Sequence, residues 1–159
     1  MSMKEKAMRD AVRYTGFQRR SCMDVQRCLE RKGYAEDIIE FTLRQLREEK
    51  YLDDRAYASR KVRIMLRSRP VSIGRMKAVL RQKGIDSGLA DDVLSEYEMN
   101  DFKTALEITR QKFGSGVFQG GLRDFKKIIS FLKYRGFTPG VIRAVLQRTG
   151  AQGCRENGD

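Results

Sequence analysis

The chain is 159 residues long, enough for one domain or a short array of small ones, and its 40% apolar against 34% charged residues suit narrow helical layers better than a wide buried sheet. Thirty-three Lys and Arg against 21 Asp and Glu leave a net charge of +12, which points to a polyanionic partner; no apolar run approaches the roughly 18 residues that span a bilayer and no signal-peptide pattern opens the chain, so a cytoplasmic protein with no membrane partner is expected. There is no histidine, and Cys22, Cys28 and Cys154 lack a CxxC spacing, which excludes a zinc site and every His-dependent nucleophile; no catalytic residue, metal or cofactor is expected.

A short helix is expected around residues 4–12, and after it the chain repeats itself. Leu29-x3-Gly33-Tyr34, Leu80-x3-Gly84-Ile85 and Leu132-x3-Gly136-Phe137 recur about fifty residues apart, the mark of a repeat architecture. Counting back from each glycine, Cys22, Val25, Cys28 and Leu29, then Ile73, Met76, Val79 and Leu80, then Phe125, Ile128, Phe131 and Leu132 fall on one helical face. Ser21, Ser72 and Asp124 stand where side-chain oxygens cap these helices, and the glycines stand where helices close in the left-handed conformation.

Second helices follow, marked by Ile38, Ile39, Leu43 and Leu46, by Leu89, Val93 and Leu94, and by Val141, Ile142, Val145 and Leu146, the last opened by Thr138-Pro139. Asp53-Asp54 and Asn100-Asp101 then open third helices with Ala58, Val62, Met65 and Leu66, or Ala105, Leu106, Ile108 and Thr109, on their inner faces. The reading is all-α: an elongated array of three tandem three-helix repeats. Its parts are an N-terminal helix (1–20), repeat 1 (21–69), repeat 2 (70–115), a truncated repeat 3 (116–150) and a flexible tail (151–159). Repeat 3 lacks a third helix unless the opening helix completes it. The connectors Arg67-Ser68-Arg69-Pro70 and the glycine-rich 114–121 read as hinges.

Residues 55–85 contain no acid, while Arg55, Arg60, Lys61, Arg63, Arg67, Arg69, Arg75, Lys77, Arg81 and Lys83 carry positive charge. Arg60, Arg63 and Arg67 form one stripe at i, i+3 and i+7, and Lys77 and Arg81 pair at i, i+4, so two adjacent helices are expected to present a basic ridge. Basic side chains also solvate ordinary helix faces, but those usually mix signs to gain i,i+4 pairs, which this segment forgoes. Tyr51 and Tyr57 lie close enough to stack on bases, although core rings with wet hydroxyls are the commoner use of such positions.

Other constellations dissolve on inspection. The glycine-rich run has no following Lys-Ser/Thr and no preceding strand, so it is no phosphate loop. Asp53-Asp54 and Asp91-Asp92 read as helix-start acids that favour the macrodipole. Cys22 and Cys28 occupy positions filled by Ile73 and Val79 in the next unit, which marks them as core, and Cys154 falls in the polar tail. The paired helices resemble a helix-turn-helix, yet the second ones carry Glu36, Asp37 and Glu40, or Asp91, Asp92 and Glu96, the wrong sign for a DNA groove.

Leu29-Glu-Arg-Lys-Gly33-Tyr34, Leu52-Asp53-Asp54-Arg55-Ala56-Tyr57-Ala58, Leu80-Arg-Gln-Lys-Gly84-Ile85 and Phe131-Leu132-x2-Arg135-Gly136-Phe137 together, across residues 5–149, resemble the RecX family of bacterial recombination regulators. The resemblance implies a crescent of three three-helix repeats, without enzymatic activity or cofactor. It also implies binding to RecA nucleoprotein filaments on single-stranded DNA, damping strand exchange, ATP hydrolysis and co-protease action. The family supplies no motif for the contact, so charge placement nominates Arg60, Lys61, Arg63, Arg67, Arg75, Lys77 and Arg81 to face the filament groove, with a monomer as the acting species. The competing expectations are a DNA-binding protein that occupies single strands and a scaffold that grips an acidic protein.

Overall fold

A computed structural model describes residues 1–16, 18–114 and 122–156, with side chains described outside 122, 123 and 151–156. Among these residues there are nine helices and no strand: α1 (Met3–Thr15), α2 (Cys22–Arg31), α3 (Glu36–Glu48), α4 (Asp54–Ser68), α5 (Ile73–Gln82), α6 (Ser87–Ser95), α7 (Asp101–Phe113), α8 (Leu122–Tyr134) and α9 (Pro139–Glu156). The expected all-α class holds. Residues 115–121 of the glycine-rich run lie outside the described residues, and the Cys154 side chain outside the described side chains.

Local chemistry explains why the helices stop and start where they do. Gly33, Gly84 and Gly136 adopt φ of 77°, 75° and 86°, and the next residue's amide reaches back to the carbonyl of Leu29, Leu80 or Leu132, the six-to-one bond that closes a helix on a left-handed residue. Ser21 Oγ accepts from the Asp24 amide and Ser72 Oγ from that of Arg75, as capping requires. Asp124 does not precede α8 but lies inside its first turn, where an acid still favours the helix dipole. Nor do Asp91 and Asp92 start a helix: they lie in the middle of α6, and Asp86 caps it by accepting from the Gly88 and Leu89 amides.

Asp53 caps α4 through the Ala56 amide, and Asn100 caps α7 through that of Lys103. The next acids have a different task. Asp54 accepts from the Cys22 amide and Asp101 from the Ile73 amide, both at 2.9 Å, so the start of each third helix satisfies an orphan amide at the start of a first helix about thirty residues earlier.

The chain divides into two compact units. In the first, comprising Met1–Lys61 and Val79–Leu94, α1 packs on α2 and α3 around Ala7, Ala11, Val25, Leu29, Leu43 and Leu46. Asp10 of α1 ties down the turn after α2: Lys32 approaches it at 2.8 Å and the Tyr34 hydroxyl donates to it at 2.8 Å. In the second, Val62–Ala78 and Ser95–Asp159, α7 packs on α8 and α9 around Ala105, Ile108, Ile128, Leu132, Ile142 and Val145. Thus α1 relates to α2 and α3 as α7 relates to α8 and α9, and α1 joins the first repeat rather than completing the third.

The glycine turns also serve as docking points. A Cβ on Gly84 would stand 2.7 Å from Met23 Cβ, and one on Gly136 would stand 2.8 Å from Arg75 Cβ and 2.9 Å from Ser72 Oγ. Each turn therefore seats on the start of the first helix of the preceding repeat. The basic residue before the glycine reinforces this: Lys83 Nζ meets Asp24 at 3.0 Å, and Arg135 Nη1 donates to the Pro70 carbonyl at 2.9 Å. With Ser72 Oγ donating to the Gly136 carbonyl at 2.6 Å, the 67–70 connector is anchored through Pro70 rather than a free hinge, and Arg67 and Ser68 belong to the last turn of α4.

Candidate interaction surface

Helix α4 carries the clearest charged feature. Its inner face is set by Ala58 and Val62, both fully buried, and this turns Arg60, Arg63 and Arg67 outward, where all three are exposed. They share one stripe because residues three, four and seven apart on a helix stand above one another. Ile64, four residues after Arg60 and three before Arg67, lies within that stripe with 46% of its surface exposed. Sequence reasoning missed it, although the equivalent position of α7 is Gln111, a solvent position. An apolar side chain amid guanidinium groups gives the stripe something to desolvate, as protein-binding surfaces have at their centres.

The remaining nominated residues do not all join this stripe. Arg55 and Arg69 are exposed and Lys61 is half-buried. Arg67 also lines a cleft of about 410 Å³ against α7, shared with Glu107 and Gln111. On α5, Lys77 and Arg81 share a face, whereas Arg75 lies about 160° around the helix from Lys77 and packs its Cβ toward the Gly136 turn. Lys83 is engaged by Asp24, and this hydrogen bond foremost holds its ammonium above the ordinary lysine value; its charge is met inside the fold.

Neither tyrosine near the basic segment behaves as a buried core ring. Tyr51 is 54% exposed, against the expectation of core. Tyr57 is half-buried, and burial first, then the nearby Asp24 carboxylate, raises its hydroxyl above the ordinary tyrosine value. Cys22 and Cys28 are buried, as the repeat indicates; burial pushes the Cys22 thiol up, although Arg47 Nε donates to its sulfur at 3.3 Å. A thiol held protonated is a poor nucleophile. Among the described residues no three Cys, Asp or Glu gather as a metal would need, and no helix is long and apolar enough to cross a membrane.

Helical units whose Gly84 and Gly136 turns seat on the starts of earlier helices, with a stripe of arginines exposed on α4, define an all-α helical-repeat protein. Comparison with known proteins makes this particular. The second three-helix domain of RecX matches residues 53–94, which is α4 to α6, one helix earlier in phase than the Leu-Gly spacing suggests. The "Regulatory protein RecX" of Chlorobium phaeobacteroides is 31% identical over 91% of this chain and 93% of its own; that of Prosthecochloris aestuarii is 29% identical over 89% and 91%. The crystal structure of RecX from Lactobacillus salivarius shares the fold, with a TM-score of 0.75 over 93% of this chain and 97% of that one at 24% identity. The chain belongs to the RecX family of regulatory proteins.

Proposed function

We propose that this protein binds RecA filaments assembled on single-stranded DNA and restrains them, acting as a cytoplasmic monomer without catalysis or cofactor. The observation that carries the reading is the Arg60, Arg63 and Arg67 stripe on α4, exposed, centred on Ile64 and set in a stretch without a single acid. A nucleoprotein filament presents both kinds of surface this stripe complements, phosphate for the guanidinium forks and protein for the isoleucine. Lys61, Lys77 and Arg81 extend the positive field, whereas Lys83 serves the fold.

The test is DNA-dependent ATP hydrolysis by preformed RecA filaments, with this protein added well below one copy per RecA and binding to naked single strands followed alongside. Hydrolysis should fall while naked-strand binding stays weak, and Arg60→Glu/Arg63→Glu/Arg67→Glu should remove the inhibition with helicity unchanged. Inhibition that sets in only when the DNA is coated would instead mean that the protein acts by occupying single strands. Inhibition undiminished in the triple variant would remove the stripe from the account.

A further inference from the structure

The second unit holds another basic surface, of different chemistry from the α4 stripe. A groove of about 590 Å³ runs between the end of α7 and the outer face of α8, lined chiefly by Lys112, Phe113, Lys126, Lys127, Phe131 and Tyr134. We propose that this groove is a binding site for single-stranded nucleic acid, with the Tyr134 ring stacking on a base and Lys112, Lys126 and Lys127 meeting the flanking phosphates.

Tyr134 is the starting point. Aligning the repeats on their glycines puts it where Arg31 and Gln82 stand in the first two, and those are exposed polar positions. Its ring is 74% exposed, so it adds little to the core and presents a planar face on which a flat partner can stack. Behind it, Phe131 and Phe113 meet edge to face with centroids 5.7 Å apart. Lys112 Nζ stands 4.2 Å from the Phe131 centroid and 5.7 Å from that of Phe113, and the Arg135 guanidinium stands 5.2 Å from the Phe131 centroid.

Cations and planar rings thus alternate within a few ångström of one another, as phosphates and bases do along a single strand. Single-strand sites combine a positive groove with stacking aromatics in this way. The acid adjoining the groove, Asp124, stands 3.7 Å from Lys127 across a solvent-exposed pair, too weakly held to cancel the field. A duplex keeps its bases stacked on each other and could offer the groove only phosphates. An acidic peptide would satisfy the lysines and leave the Tyr134 ring bare. A single strand uses both.

The test compares binding of a labelled oligothymidylate of about fifteen nucleotides with an abasic oligomer of the same length, by fluorescence anisotropy on the full chain. The wild type should prefer the thymidylate. Tyr134→Ala should weaken thymidylate binding roughly five- to fiftyfold, leave abasic binding unchanged and, at so exposed a position, leave the circular dichroism unchanged. Tyr134→Trp should retain binding, and because the chain has no other Trp, its fluorescence should be quenched by thymidylate. Lys126→Glu/Lys127→Glu should weaken both oligomers and flatten the salt dependence by a slope of about one to two. Equal affinity for the two oligomers, or thymidylate binding untouched by Tyr134→Ala, would overturn the proposal. So would polyglutamate binding in the groove in place of either oligomer, which would assign it to an acidic protein. None of these readings uses RecA, so failure here leaves the filament reading of α4 standing, and loss of RecA inhibition in the α4 variant leaves this one standing.

Discussion

Lys32, Lys83 and Arg135 precede the three turn glycines, and each reaches back to anchor its turn: to Asp10, to Asp24 and to the Pro70 carbonyl. The glycines themselves differ in what surrounds them. All need a left-handed φ that costs an L-residue about 1–2 kcal/mol, but a Cβ on Gly33 would meet nothing within 4 Å while one on Gly84 would meet Met23 Cβ at 2.7 Å. A Cβ cannot swing aside as a side-chain tip can, so the second substitution adds an overpacking cost of about 1–3 kcal/mol. Chemical denaturation should therefore find Gly33→Ala less stable than wild type by about 1 kcal/mol and Gly84→Ala by about 3 kcal/mol. Equal losses would show that Gly84 does not seat on α2.

At the scale of the element, α1 is held to the first unit by apolar packing of Ala7 and Ala11 and by the Asp10 carboxylate. Hydrogen bonds from Lys32 first and Tyr34 second hold that carboxyl below its ordinary value of 3.8. A group with a depressed folded pKa adds stability that is present above its unfolded pKa and lost as pH falls through the folded one. Asp10→Asn should accordingly lower the unfolding free energy at pH 7 by about 0.5 kcal/mol, the ordinary worth of a screened pair, and the gap to wild type should close as pH drops below about 4. A gap independent of pH would mean that Asp10 acts by shape alone. Outer faces of helices follow a complementary rule: Ile64 on α4 and Tyr134 on α8 occupy solvent positions of the repeat, and both stand among cations.

At the scale of the whole molecule, a net charge of +12 makes association with any polyanion depend on salt, because bound phosphates release counterions. The dependence apportions the charge. Each lysine or arginine that meets a phosphate of a single strand contributes about 0.7 to the slope of log affinity against log salt. Reversal of Arg60, Arg63 and Arg67 should flatten the slope for RecA filaments on DNA by about 2 if all three meet phosphate, measured by filament co-sedimentation across a salt series. An unchanged slope would mean that the stripe meets protein carboxylates instead.

Most of the helices, their recurring Gly turns and most of the core were legible in the sequence because they rest on short-range rules: apolar residues at helical spacing, Ser21 and Ser72 as caps, and glycine where φ must be positive. Net charge and the arginine stripe were legible for the same reason, since α4 is one helix and its periodicity assigns the faces. What only the tertiary structure decided is which charges are already answered. Asp24 lies 59 residues from Lys83, so a stretch that reads as uniformly basic holds one charge answered by the fold beside others, Arg75 among them, that are exposed. Repeat phase was decided there too, by α1 packing on α2 and α3 as α7 packs on α8 and α9. Sequence periodicity tells a helix which face is apolar; only packing between distant segments selects the partner that covers it.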